Sequence, residues 1–199
     1  MADRPIAIQD ALLHLASASP GEREELVKLG LVSGMGEIQT HASSDTPTRP
    51  PSVPRRAASV PNVLNEAYDY ARPSSFSRAL SFDIADTRIL LISGTASVDE
   101  EGRTIHAGDF RAQLWRTYRN ISAILQAEDM TWRDVVRTSC YLRDIERDYK
   151  DFNEVRTAFF SWHGLNPLPA STGIQARLCR EDLLVEIEAM AVSRLAAGA

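Results

Sequence analysis

The chain has 199 residues, 44% of them hydrophobic, and a formal net charge of −5 at pH 7. That length holds one ordinary domain plus an appendage, with enough apolar side chains for a core. The acidic balance excludes a broad phosphate-binding surface, which needs clustered Lys and Arg, and no uncharged apolar run approaches the ~20 residues that cross a bilayer.

The opening segment MADRPIAIQDALLHLASAS lacks the basic-then-apolar order of a secretory leader. Cys140 and Cys179 belong to no CxxC pair and no Cys/His cluster, so they are read as reduced thiols of a cytoplasmic protein with no metal site.

Residues 1–36 read as an arm of two short helices. Ile6, Leu12, Leu13 and Leu15 give a weak apolar stripe. Ser19-Pro20-Gly21-Glu22 then has the form of a capping box with proline in the first turn, Leu26, Leu29 and Leu31 follow, and Gly34 and Gly36 stop the run. Such helices are too short to fold alone, so they dock on the main domain or bind a partner protein. Residues 37–70 read as a flexible linker, because Pro47, Pro50, Pro51, Pro54 and Pro61 stand among Ser, Thr and Ala with few large apolar residues to offset the entropy of ordering.

From there the patterns strengthen into one domain over 71–194. Ser81–Ile84 and Thr87–Ser93 read as strands joined at Ala85-Asp86. Asp109–Glu128 is a helix with Phe110, Leu114, Tyr118, Ile121 and Leu125 as its stripe. Thr131-Trp132-Arg133-Asp134 has the form of a capped helical turn. Val135–Leu142 alternates, with Val136, Thr138, Cys140 and Leu142 on one face. Asp148–His163 is a second helix, its stripe made of Tyr149, Phe152, Val155, Phe159 and Trp162. Ser171–Cys179 and Leu183–Val192 close the chain as strands. The order β-β-α-β-α-β-β implies an α/β (α+β) fold, a mixed sheet with both long helices on one face. The other face must be buried too, which points to an oligomer.

Ser93-Gly94-Thr95, the helix through RTYRNISAIL, the strand VVRTSCYLRD, DFNEVRTAFF and the ending VEIEAMAV together resemble the RidA (YjgF) family. The resemblance covers Pro73 to Val192 and implies the RidA/chorismate-mutase-like fold, a homotrimer and small-molecule clefts at the subunit boundaries. It also implies hydrolysis of reactive enamines and imines to 2-oxo acids and ammonia, with no metal or organic cofactor. By this resemblance Glu186 is the catalytic glutamate, acting as acid or base, with Glu188 a structural neighbour. Gly94, flanked by Thr95, brings a backbone amide to substrate, and Asn153 lies at the cleft. Phe76 stands in a loop where the family commonly has tyrosine, and Arg78 where it commonly has glutamine.

One position departs from the pattern. Deaminating relatives carry an arginine after a Pro-Ala pair, which grips the substrate carboxylate with two prongs. Here Pro169-Ala170 is followed by Ser171, and Gly173 stands where cysteine is common. Arg78, Arg177 and Arg180 are candidates to compensate, and Arg78 is favoured because it lies in the loop over the cleft. The loop and the Leu-Val-Glu-Ile-Glu ending also resemble the RidA-like half of chorismatases. Three readings follow. The first is a cofactor-free deaminase or hydrolase acting on a small unsaturated enamine, imine or enol-ether carboxylate. The second is a non-catalytic metabolite-binding or scaffold trimer. The third, a ribonuclease, is disfavoured by an acidic chain without a basic stripe. Neither nucleic acid nor membrane is expected as a partner.

Overall fold

The computed structural model describes residues 19–28, 32–33, 53–71 and 73–195. The chain divides into two units, Met1–Pro50 and Pro51–Ala199. In the first, Pro20–Lys28 forms helix α1. Its capping box is present: the Glu22 N–H donates to Ser19 Oγ at 3.2 Å and the Ser19 N–H to Glu22 Oε2 at 3.3 Å. The stripe expected over Ile6–Leu15, together with Leu29, Leu31, Gly34 and Gly36, lies outside the described residues.

The second unit carries one six-stranded sheet, ordered β1-β2-β3-β6-β4-β5. The strands are β1 (Arg55–Ala57), β2 (Ala79–Ile84), β3 (Thr87–Ala96), β4 (Val135–Leu142), β5 (Ala170–Gln175) and β6 (Val185–Arg194). Only β4 and β5 pair in parallel. Helix α2 (Phe110–Ala127) packs on β3, β6 and helix α3 (Ile145–Trp162). Each helix opens on an aspartate cap: Asp109 accepts from the Ala112 N–H, and Asp144 from the Arg147 N–H. All five residues of the expected α2 stripe are buried. The turn after β2 forms at Ala85, which adopts a φ of 53°.

Four differences from the sequence expectation have physical causes. β1 and the residues up to Leu64 fall in the stretch read as linker. There β1 pairs with β2, and Ala58 and Leu64 enter the core. Three paired residues and two small buried patches leave little trace in a proline-rich composition. Helix α3 starts at Ile145 because Asp144 caps it a turn early. Its core stripe is Phe152, Val155 and Phe159, while Tyr149 and Trp162 are exposed. In β4 a register shift between Val135 and Arg137 turns Val136 outward, so Val135 joins Thr138, Cys140 and Leu142 in the core. Finally, β5 stops at Gln175 where its partner β4 ends, so Arg177 lies beyond the strand and shares no strand face with Ser171.

A chain beginning at Pro51 retains all six strands. One beginning at Asn65 loses β1 and the buried Ala58 and Leu64. The shorter chain is therefore expected to be less stable by at least ~3 kcal/mol in denaturant unfolding, since removing one buried leucine side chain alone costs about that much.

Two buried amides on α2 fix the strands that carry the site. Asn120 Nδ2 donates to Ala96 O and Val98 O, holding the end of β3. Gln113 donates to Asp182 O and accepts from the Leu184 N–H, holding the start of β6. Both side chains are fully buried, so these bonds form in a dry environment, where leaving them unmade is costly.

Candidate functional site

On β6 the residues alternate. Val185, Ile187, Ala189 and Ala191 are buried on the helix side, and Glu186, Glu188 and Met190 look out from the opposite face. Beside Glu186, β3 is irregular: Ile92 pairs with Ala189 but Thr95 with Ile187, so one extra residue is accommodated at Ser93-Gly94. The bulge is held from within. Thr95 Oγ1 donates to Ser93 O, Ser93 Oγ donates to Ser77 O at 2.8 Å, and the Ser93 N–H donates to Arg78 O. Thr95 is buried and shapes this bulge, and it is not among the residues lining the Glu186 cavity.

The bulge sets Gly94 against the Glu186 carboxyl. A Cβ at residue 94 would stand 2.0 Å from Glu186 Oε1 and 2.9 Å from Cδ. Only glycine leaves room for the carboxyl where it lies.

Glu186, Gly94, Phe76 and Arg78 share a cavity of about 340 Å³ with Tyr70 and Arg180. The loop before β2 builds its roof. The buried Glu66 carboxylate accepts the Arg78 N–H at 3.0 Å, and Arg78 Nε donates to Asn65 O at 3.1 Å. The Arg78 guanidinium lies between the Tyr70 and Phe76 rings, 4.9 Å and 5.2 Å from their centroids. No carboxylate among the described residues lies within ion-pair distance of it. Arg180 instead donates to Gly102 O and holds the 102–104 loop.

Glu186 titrates above the ordinary glutamate range. Burial is the main cause, the Glu188 charge adds to it, and the Arg78 charge opposes both. Glu188 is exposed, also lines the cavity, and accepts from Tyr141 Oη at 2.9 Å. The cavity thus combines a fixed cation, a glutamic acid of raised proton affinity and an aromatic lid. Those parts suit a small carboxylate whose adjacent carbon must be protonated or hydrated.

Within one chain, Ser171 and Gly173 line a different cavity. Ser171 Oγ accepts from Thr138 Oγ1 at 3.0 Å and lies 3.9 Å from Cys140 Sγ, both on the helix side of β4. Within one chain, Ser171 and Glu186 therefore occupy opposite sides of the sheet. Ser171 and Gly173 line a second cavity of about 330 Å³, together with Arg156. Asn153 adjoins it, its Oδ1 accepting from Arg156 Nη2.

The sequence reading missed Tyr70, Glu66 and Arg156. The first two precede the stretch that carries the resemblance, so only the fold shows their contacts. Arg156 stands three residues after Asn153, on the same helix face, and that spacing was a usable signal.

Residues 71–193 match the family model described as Endoribonuclease L-PSP. A RutC family protein of Saccharolobus solfataricus is 34% identical over 103 residues, 52% of this chain and 78% of its own. A 2-iminobutanoate/2-iminopropanoate deaminase of Salmonella typhimurium is 30% identical over 106 residues, 53% of this chain and 80% of its own. The crystal structure of the YjgF gene product from E. coli superposes with a TM-score of 0.57 at 24% identity, covering 70% of this chain and 99% of that one. RidA from an Antarctic Psychrobacter superposes with a TM-score of 0.55 at 26% identity, covering 68% and 98%. The mixed sheet, the two helices on one side of it and the match across nearly the whole described domain lead to one assignment: this chain belongs to the RidA (YjgF) family.

Proposed function

We propose that the protein is a cofactor-free deaminase acting on a small 2-imino or 2-enamino carboxylate at the Glu186 cavity. The observation that carries this reading is the Glu186 carboxyl, packed onto Gly94, raised in proton affinity and sharing a pocket with the Arg78 guanidinium, which has no carboxylate partner among the described residues. The deaminase of Salmonella typhimurium, at 30% identity, supports the same reaction class.

In the proposed reaction Arg78 holds the substrate carboxylate. Protonated Glu186 gives its proton to the enamine methylene carbon, leaving an iminium. The carboxylate then takes a proton from a water that attacks the C=N carbon. Glu186 passes that proton to the nitrogen, the C–N bond breaks and ammonia leaves as the hydroxyl oxygen closes the C=O and returns its proton to Glu186, so one imino acid and one water give one 2-oxo acid and one ammonia. The raised proton affinity favours the first step, and the nearby Arg78 charge favours the second.

Replacing Arg78 by Gln removes the cation but keeps a polar side chain. KM for 2-iminobutanoate generated in situ should rise about 10- to 100-fold, the range for a lost charge-assisted pair, with a smaller change in kcat. An unchanged KM would return Arg78 to a structural role.

The uncovered sheet face, where Leu91 and Met190 flank Glu188, is proposed as the surface by which three chains assemble. Light scattering should then report the mass of three 22.0 kDa chains. A stable monomer would contradict the assembly.

Ser171 favours a second reading, a trimer that binds a metabolite without turning it over. Adding the family guanidinium at this position meets an obstacle, because Arg156 Nη1 already lies 3.3 Å from Ser171 Oγ. Two guanidiniums there would repel each other. Activity on 2-aminoacrylate is therefore expected to rise in the Ser171→Arg/Arg156→Gln double variant and not in Ser171→Arg alone. A gain in Ser171→Arg alone would show that Arg156 does not occupy the contested space.

A further inference from the structure

We propose that Arg180 is a second anion-holding residue of the Glu186 cavity, so that the preferred substrate is a 2-imino or 2-enamino dicarboxylate with its far carboxylate on Arg180. This rests on the reading that substrate binds at Glu186 with its near carboxylate on Arg78. Arg180 lines the same cavity of about 340 Å³. It is half-buried, and like Arg78 it has no carboxylate within ion-pair distance among the described residues. The Glu188 carboxylate is engaged by Tyr141 Oη, and Asp99, in the turn beside Arg180, pairs with Arg103 at 2.8 Å. A substrate with one carboxylate leaves the second guanidinium uncompensated against the walls made by Ala67, Ala96, Val98 and Leu183. A second carboxylate on the substrate compensates it.

Neutral groups hold Arg180 in place. Nη1 donates to Gly102 O and reaches Thr104 Oγ1 at 3.5 Å, and the Arg180 carbonyl accepts from Arg143 Nη2. Both side-chain bonds to described residues use Nη1. Nε and Nη2, the two donors of one fork, are left for a carboxylate. A guanidinium already fixed in this way has little rotamer freedom to lose when an anion arrives.

The spacing of the two cations is built into the fold. Gly102 packs on Tyr70, where a Cβ would overlap the ring, and its φ of 76° also favours glycine. The same ring carries the Arg78 guanidinium, 4.9 Å from its centroid. The contacts Arg78–Tyr70–Gly102–Arg180 therefore tie the two guanidiniums together through one aromatic ring and one peptide. Each cation is left to take its own anionic group.

Calorimetric titration of the full chain with 2-oxobutanoate, oxaloacetate and 2-oxoglutarate tests the proposal, since these are the 2-oxo acids of one monocarboxylate and two dicarboxylate imines. The wild type should bind at least one dicarboxylate ~10-fold or more tighter than 2-oxobutanoate, the scale of one charge-assisted pair. Arg180→Gln should bring that ratio close to one, and Arg180→Lys should fall between, because charge is kept and the fork lost. The ratio is the readout, because general damage to the 102–104 loop weakens all three ligands together. A proportional loss would overturn the proposal, as would a wild type that binds all three alike or none saturably up to about 10 mM. If Arg180→Gln does not fold on thermal melting, Arg180→Lys decides alone. Turnover separates this inference from the reading beneath it. A dicarboxylate preference lost in Arg180→Gln, with no imine hydrolysed, would retire the deaminase and keep the second anion site. Turnover of 2-iminobutanoate with no dicarboxylate preference would do the reverse.

Discussion

Glu186→Gln is expected to lower turnover of 2-iminobutanoate by ~10²–10⁴-fold with binding largely kept, since the amide preserves shape and removes the titrating proton of Glu186. The wild-type pH–rate profile should carry a limb displaced above the ordinary glutamate range, because burial and Glu188 both disfavour the charged form. That limb should be absent from the residual activity of the variant. The same shift has a stability consequence. The folded chain binds the Glu186 proton more tightly than the unfolded chain does. The stabilisation this gives is fully present below the ordinary glutamate pKa of about 4.3 and is lost as pH rises through the raised value. Glutamine does not titrate, so the melting temperature of Glu186→Gln relative to wild type should increase between about pH 4 and pH 8. A stability difference independent of pH would mean that the carboxyl is not desolvated.

Gly94→Ala is expected to reduce kcat by ~10–100-fold through the position of Glu186, because displacing a reacting group by about an ångström costs that much. The new Cβ would fall 2.0 Å from Glu186 Oε1, and the carboxyl must swing away. The fold should survive, since the atom displaced is the end of a flexible side chain beside an open cavity. The decisive comparison is the double variant. If Gly94 acts through Glu186, then Gly94→Ala costs nothing further in a Glu186→Gln background. Additive losses would assign Gly94 a separate contact with substrate, such as its backbone amide.

How far the sequence could be read depended on whether a residue acts through its period or through a contact distant in sequence. The α2 stripe and the alternation of β6 repeat at short spacing, so Glu186 could be placed on the open face before any coordinates. Arg78 and Gly94 were identified by resemblance, and the fold places both beside Glu186. The bulge at Ser93-Gly94 was not legible, because it is a mismatch between two strands and neither strand records it alone. Val136 was misassigned for the same reason. β1 was hidden by the prolines around it, and Tyr70 and Glu66 matter only because the loop before β2 brings them against Arg78. Within one chain Ser171 lies on the helix side of β4 beside Arg156, and the intersubunit cleft to which the resemblance assigns it is formed only with a second chain.

The account rests most directly on one comparison, the rate at which 2-iminobutanoate disappears in buffer, with wild-type protein and with Glu186→Gln. The account predicts that wild type releases 2-oxobutanoate and ammonia well above the buffer rate and that Glu186→Gln falls close to it. Equal rates for wild type and Glu186→Gln, whether both fast or both at the level of buffer, would contradict it.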